Sequence, residues 1–355
     1  TMSAADPDRV YALVDSATQT GLYRSDDLGE NWSFVTADAN ITARPFYFTH
    51  IYANPSNADE LWSPANKLWR SVDAGKTWIL EPSAKDDFQD IWIDPQDPMR
   101  MIATCDGGTA VTLTGGKSWS SFANQSGVQF YRVDTDDQFP YRVYGNAQDL
   151  LTYSIPSSSR WGGIPLHMTD FIGNGETGRA IPRPGDPNIV YGLSTGATFG
   201  AATQFTVNNL KTGQTEPRPV WPEILFGTPA SEFKYRFNWQ APFLVSPHDP
   251  NTIYFAGNVV FRSRDEGMTW EKISDDLTHN LTDKMKVAGS EWLPEYFGQE
   301  TFSTIHRLEE SPHEEGVLWA GTDDGRVWIT RDGGGAVSYT HLRAHETSRA
   351  ISYSV

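Results

Sequence analysis

The sequence predicts an all-β fold of the propeller type, seven-bladed or incomplete, and three observations carry that prediction. A turn pattern, S/T-x-D-x-G-x-x-W, recurs along the chain. A Pro-containing turn precedes a β-branched or aromatic run seven times, and each interval has room for four short strands. Composition agrees, since 13 Trp, 14 Tyr and 18 Phe stand beside 30 Gly and 22 Pro, a mixture that favours short strands and tight turns over long helices.

The turn pattern has a physical reading. Full copies are Ser25-Asp27-Gly29-Trp32, Ser71-Asp73-Gly75-Trp78 and Ser263-Asp265-Gly267-Trp270. Thr112-Thr114-Gly116-Trp119 lacks the Asp, and Thr330-Asp332-Gly334 lacks the Trp. In a hairpin turn the Asp accepts backbone hydrogen bonds, the Gly supplies a positive φ, and the Trp packs back on its sheet. All three full-copy tryptophans are therefore expected to be largely buried. The Pro turns are Asp6-Pro7, Asn54-Pro55, Asp94-Pro95, Pro140, Asp186-Pro187, Asp249-Pro250 and Ser311-Pro312.

The resulting units run over about residues 1–40, 41–84, 85–126, 127–165, 166–222, 223–299 and 300–334. In the third, the strands are read as Asp90–Asp94, Arg100–Thr104, Thr109–Thr114 and Ser118–Ala123. Unit one is expected to lack most of its first strand, and unit seven to stop at its third. Residues 335–355 are expected to be a non-repeat tail outside the propeller. Insertions fall at Gly196–Thr203, Glu223–Tyr235 and Asp275–Glu300, the last being where helix is expected.

The repeats resemble Asp-box (BNR) repeats, and the chain resembles bacterial sortilin-like (VPS10-type) propeller proteins, often catalogued as glycosyl hydrolases. Gly21-Leu22-Tyr23-Arg24-Ser25, Asp106-Gly107-Gly108, Tyr235-Arg236-Phe237-Asn238-Trp239 and Gly321-Thr322-Asp323-Asp324-Gly325 carry the resemblance. It implies an extracytoplasmic propeller that binds a glycan, peptide or protein partner. The alternative it leaves open is a glycoside hydrolase, xyloglucanase-like, using a carboxylate pair.

Charge and composition narrow the partners. With 28 Lys+Arg against 45 Asp+Glu, the net charge of −17 argues against nucleic acid or an anionic membrane. No apolar run is long enough for a membrane span. Cys105 is the only cysteine, which excludes an intrachain disulfide and a Cys-built metal site. Asp134-Thr135-Asp136-Asp137 lacks the Gly and Glu of a calcium loop, and His341 with His345 has no third ligand, so no metal and no cofactor is expected. The start at Ala5-Asp6-Pro7-Asp8 lacks a signal peptide, so an export signal and further domains are expected to belong to a longer parent chain.

Antiparallel topology places candidate site residues. Strands alternate in direction, so loops between the second and third strands share a face with those entering each first strand. The ligand-binding candidates at that face are Asp90, Asp106, Gln148, Asp149, Glu176, Arg236, Asn238 and Trp239. Trp can stack on a sugar ring, carboxylates accept hydroxyl hydrogens, and Arg pairs a carboxylate. Asp15, Asp106, Asp149 and Glu176 are the candidate catalytic acids. The box residues are expected to serve the fold.

Overall fold

Runs such as Leu61-Trp62 and Ile253-Tyr254-Phe255, bounded by Pro, Asp and Gly, form short strands whose side chains alternate between two faces. A computed structural model describes the chain except for residues 44–49, 82–86, 123–126, 149, 173–174, 195–203, 223–228, 286–287, 290–293, 296–300 and 341–355. The described residues hold seven antiparallel sheets, six of four strands and one of three, with strand order following chain order in each. This is the repeated meander of the expected propeller class.

Contacts divide the chain into two compact units, residues 1–127 with 289–295, and 128–288 with 296–355. The first holds sheets one to three. Sheet one comprises Met2–Ser3, Asp6–Val14, Gly21–Ser25 and Ser33–Thr36; sheet two Tyr52–Asn54, Asn57–Pro64, Leu68–Ser71 and Ile79–Leu80; sheet three Phe88–Ile93, Met101–Cys105 and Gly108–Thr112. Tyr11, Leu22, Ile41 and Leu61 are buried between sheets one and two. Trp62, Phe88, Ile91 and Met101 fill the space between two and three.

The second unit holds sheets four to seven. Sheet four comprises Asp134–Thr135, Arg142–Asn146, Thr152–Pro156 and Asp170–Ile172; sheet five Arg179–Arg183, Asp186–Ser194, Gln204–Asn209 and Gln214–Pro217. Sheet six comprises Phe243–Val245, Ile253–Ala256, Val260–Ser263 and Glu271–Lys272; sheet seven Ile305–Glu310, Leu318–Thr322, Val327–Thr330 and Val337–Thr340. Its broadest core, with Tyr191, Phe205, Phe237, Phe243, Phe255 and Phe261, lies between sheets five and six. Each such side chain contributes about 1.5–3 kcal/mol by leaving water.

The repeated turns share one set of hydrogen bonds. In the second, Ser71 Oγ donates to Asp73 Oδ1 at 2.8 Å and accepts from the Gly75 amide at 2.9 Å, while Asp73 Oδ1 accepts the Thr77 amide at 2.9 Å. The turns at Asp27, Asp265 and Asp332 repeat this pattern. At Thr114 the hydroxyl does the work of the missing carboxylate, accepting the Ser118 amide at 3.0 Å. The glycine sits at φ +85° in Gly75, Gly116 and Gly267. A Cβ there would strike the neighbouring sheet, 2.2 Å from Leu22 at Gly75 and 2.5 Å from Phe205 at Gly267.

Several expectations are corrected. Trp32 is 44 % exposed, whereas Trp78 and Trp270 are half-buried against hydrophobic clusters. The reason is that no described residue of another sheet comes within 4 Å of a Cβ at Gly29. Both end sheets have four strands, because Met2–Ser3 supplies the first strand of sheet one and Val337–Thr340 the last of sheet seven. The expected fourth strand at residues 118–123 is represented, among the described residues, by one backbone bond from Ser120 N to Val111 O at 2.9 Å. The insertion after Asp275 holds a single 3-10 turn, Thr282–Lys284, and a two-stranded ribbon instead of an α-helix among its described residues. Among the described residues, the one α-helical turn is Ala39–Thr42, capped by Asp38.

Candidate functional site

The first strands of sheets four to seven contact one another along the second unit, so segments leading into them converge. Tyr131-Arg132 leads into sheet four, Asn238-Trp239-Gln240 into sheet six and Ser303-Thr304 into sheet seven. Asp323 stands in the turn between the second and third strands of sheet seven.

Hydrogen bonds tie these segments into one network. The Trp239 indole donates to the Tyr131 hydroxyl at 3.0 Å, and Arg132 Nη2 donates to the Gln240 carbonyl at 3.3 Å. Asn238 Nδ2 donates to Thr304 Oγ1 at 3.2 Å, and Thr304 Oγ1 in turn donates to Asp323 Oδ2 at 2.7 Å. The Thr304 amide donates to Asp323 Oδ1 at 2.9 Å. The candidates Asn238 and Trp239 thus share a hydrogen-bonded network with Tyr131, Arg132, Thr304 and Asp323, which makes it a candidate site.

Three titratable groups here are displaced from their ordinary values. Surrounding protein raises the Asp323 carboxyl, and the charge of Asp324 adds to this, against the opposing donations of Thr304. His306 is lowered by burial and by the positive charges of Arg132 and Arg307. Arg132 is lowered by burial, then by Arg307 and Arg179, with Asp134 and Glu309 opposing. Asp323 and His306 keep solvent contact, which limits the size of these shifts. Displaced acids and bases gathered in one place mark a functional candidate. Burial thus shifts the Asp323 carboxyl upward while both its oxygens accept from Thr304.

Arg236 lies beside this network in a buried role. It is 5 % exposed and donates to Asp276 Oδ2 at 2.8 Å, Thr278 Oγ1 at 3.0 Å and the Ser303 carbonyl at 3.3 Å. Burial works to raise Asp276, but donations from Thr278, Asn258 and Arg236 outweigh it and hold the carboxylate low. Glu176 is buried, and the carbonyls on either side of it, at Gly175 and Thr177, accept from Asn146 Nδ2. The Gln148 amide donates to the Gln129 carbonyl at 2.9 Å. Asp149 lies outside the described residues.

The other candidates belong to the first unit. Asp15 accepts from Thr20 Oγ1 at 3.3 Å, and Asp106 from Gln89 Nε2 at 3.2 Å. Asp90 accepts its neighbour's amide, Ile91 N, at 2.7 Å and bonds the Tyr52 hydroxyl, which burial and this carboxylate push up to about 12. Tyr52, Asp90 and Trp92 line a cleft of about 280 Å³. Among the described residues, no group of His, Cys, Asp and Glu is arranged to hold a metal ion. No helix is long and apolar enough to cross a membrane among them.

The chain is similar to a xyloglucanase over most of its length. The identity is 25% over 288 residues, which is 76% of this chain and 25% of that enzyme, from a Paenibacillus species. The chain therefore spans about a quarter of the length of the curated relative it matches. No family model matches. Among solved structures, a GH74 xyloglucanase from Xanthomonas campestris aligns with 94% of this chain and 51% of its own, at 15% identity and a TM-score of 0.31. A GH74 enzyme from Niastella koreensis gives 96%, 64%, 12% and 0.31 on the same measures. YCF48 from Cyanidioschyzon merolae aligns with 96% of this chain and 94% of its own, at 14% identity and 0.25.

The residues of this candidate site that sequence reasoning missed are Tyr131, Arg132, Thr304, His306 and Asp323. Asp323 stood inside a quoted motif, Gly321-Thr322-Asp323-Asp324-Gly325, at the same turn position as Asp106 in sheet three. That equivalence was the available signal.

Proposed function

We propose that the chain is a glycoside-hydrolase-like propeller segment that binds a glycan through the network around Trp239, Asn238, Thr304 and Asp323. The observation that carries this reading is the hydrogen-bonded run from Asn238 through Thr304 to Asp323 beside the Trp239–Tyr131 pair. Sugar recognition needs both parts: an aromatic surface for the ring and a fixed set of donors and acceptors for its hydroxyls. The similarity to a xyloglucanase supports a glycan over the peptide or protein partner that a sortilin-like relationship would bring. A secreted or cell-surface location, within a longer parent chain, belongs to the same proposal.

Calorimetric titration with xyloglucan oligosaccharides and other soluble glycans tests it. Trp239→Ala is expected to weaken binding about tenfold, the loss of one aromatic stacking contact, with the melting temperature nearly unchanged. No binding to any glycan would reject the reading. A second reading, hydrolysis, is favoured by the raised Asp323 carboxyl, which suits a general acid. In that case Asp323→Asn lowers turnover by orders of magnitude while binding persists, whereas retained turnover removes Asp323 from the chemistry.

A further inference from the structure

Resting on the glycan reading, we propose that the site takes an acidic glycan, whose carboxylate is received by Arg132 and Arg307. The first strands of sheets four to seven contact one another in succession, and along them stand three arginines that act on one another electrostatically: Arg132 in the segment before sheet four, Arg179 as the first residue of sheet five and Arg307 in the first strand of sheet seven. Arg179 is already satisfied, because Nε and Nη2 each lie 2.7 Å from an Asp134 carboxylate oxygen. Neither Arg132 nor Arg307 takes part in an ion pair among the described residues. Among the described residues, the Arg132 guanidinium donates one hydrogen bond, to the neutral Gln240 carbonyl.

Like charges held together in partly desolvated surroundings oppose one another, and burial adds to the penalty. Arg132 registers this, since its hold on its proton is weakened by burial, Arg307 and Arg179. The nearby negative groups do not remove the imbalance. Asp134 is committed to Arg179, Glu309 makes no ion pair among the described residues, and both Asp323 oxygens already accept from Thr304. An incoming carboxylate would supply the missing counter-charge, and planar guanidinium groups match it with paired hydrogen bonds. Why the carboxylate is borne by a sugar follows from adjacency. Arg132 is the next residue to Tyr131, which holds the Trp239 indole, so the cationic group and the aromatic surface are presented side by side.

The test is calorimetric titration of the whole chain with a galacturonic acid trimer and with its methyl ester, which keeps the shape and removes the charge. The acid is expected to bind about tenfold or more tightly than the ester. Arg307→Gln, at a solvent-exposed position outside the hydrogen-bonded network, is expected to abolish that preference while leaving ester binding and the melting temperature unchanged, and Arg132→Gln is expected to abolish the preference as well. Equal affinity for acid and ester, or a preference surviving in both variants, overturns the proposal. Binding of a neutral xyloglucan oligosaccharide that depends on Trp239, without any acid preference, overturns this proposal alone. If neither sugar binds and a peptide with a free C-terminal carboxylate does, both this proposal and the glycan reading fall.

Discussion

At the residue scale, the same amino acid in the same repeated turn has different worth according to what lies beyond its own sheet. Trp270 packs on Phe205, centroid to centroid 5.4 Å, and on Phe255 of its own sheet at 6.4 Å. Trp32 has no such cluster and remains 44 % exposed. Trp270→Ala is therefore expected to destabilise by about 3 kcal/mol or more, and Trp32→Ala by less than about 1 kcal/mol. Chemical denaturation midpoints of the two variants check this, and equal losses would contradict it. The turn chemistry was legible in the sequence because Ser, Asp and Gly act on backbone within four residues of themselves. Tyr131 with Trp239, 108 positions apart, and Thr304 with Asp323 were not, because only the folded chain brings them together. Arg236 illustrates a third case. Its sequence position pointed to a ligand, and the structure shows its guanidinium engaged with Asp276, Thr278 and Ser303.

At the scale of elements, the sheets were legible wherever a strand had enough residues to alternate. Ile253–Ala256 and Leu318–Thr322 are such strands, whereas Met2–Ser3 is too short for any period and is placed by pairing with Asp6–Val14. Val337–Thr340 was obscured differently: the turn before it has Val337 where the other copies have Trp, yet the strand pairs fully with Val327–Thr330. The turns also carry a two-residue left-handed step. Leu28, Ala74 and Glu266 have φ between 57° and 60°, each followed by glycine at +85° or +93°. The first position accommodates a side chain in different surroundings: Leu28 is 63 % exposed, Ala74 is buried in the cluster between sheets one and two, and Glu266 pairs with Arg183 of sheet five. The second does not. Gly267→Ala places a methyl 2.5 Å from Phe205 in a backbone region alanine rarely adopts, and is expected to destabilise by about 2–4 kcal/mol. Glu266→Ala, at the first position of the same step, keeps the turn but loses the 2.9 Å pair with Arg183, an effect of about 1 kcal/mol or less. Thermal unfolding of the two variants separates them, and similar midpoints would refute the distinction.

For the whole molecule, charge sets the terms on which all of these contacts operate. A net charge of −17 at pH 7 makes the folded chain repel itself, and the unfolded chain relieves that repulsion by expanding. Screening at about 0.15 M salt, where the Debye length is about 8 Å, should therefore raise the melting temperature relative to about 0.01 M. Surface ion pairs such as Arg24–Asp26 weaken under the same screening, but each contributes at most about 1 kcal/mol. Lowering the pH toward the sequence pI of about 4.8 removes the repulsion by another route, so the benefit of salt should shrink there. Below that point the turns take over. Asp27 is held at about 2 by Asn31 and Ser25, against an ordinary value of 3.8. Asp332 is lowered chiefly by the Ala336 amide, and Asp265 chiefly by that of Thr269; Asp73 is lowered by Thr77 and Ser71 against the opposing effect of burial. A carboxyl lowered in the folded state stabilises it fully above the unfolded value and ceases to do so as pH falls through the folded value. Stability contributed by the turns should thus be intact above about pH 4 and disappear between about pH 4 and 2. The expected profile at low salt rises from pH 8 to about 5 and falls steeply below 4. Asp27→Asn combined with Asp265→Asn should flatten the acid side and leave the alkaline side in place. Melting temperatures across that range at two salt concentrations measure both limbs, and an acid limb of unchanged steepness in the double variant would show that other carboxylates govern it.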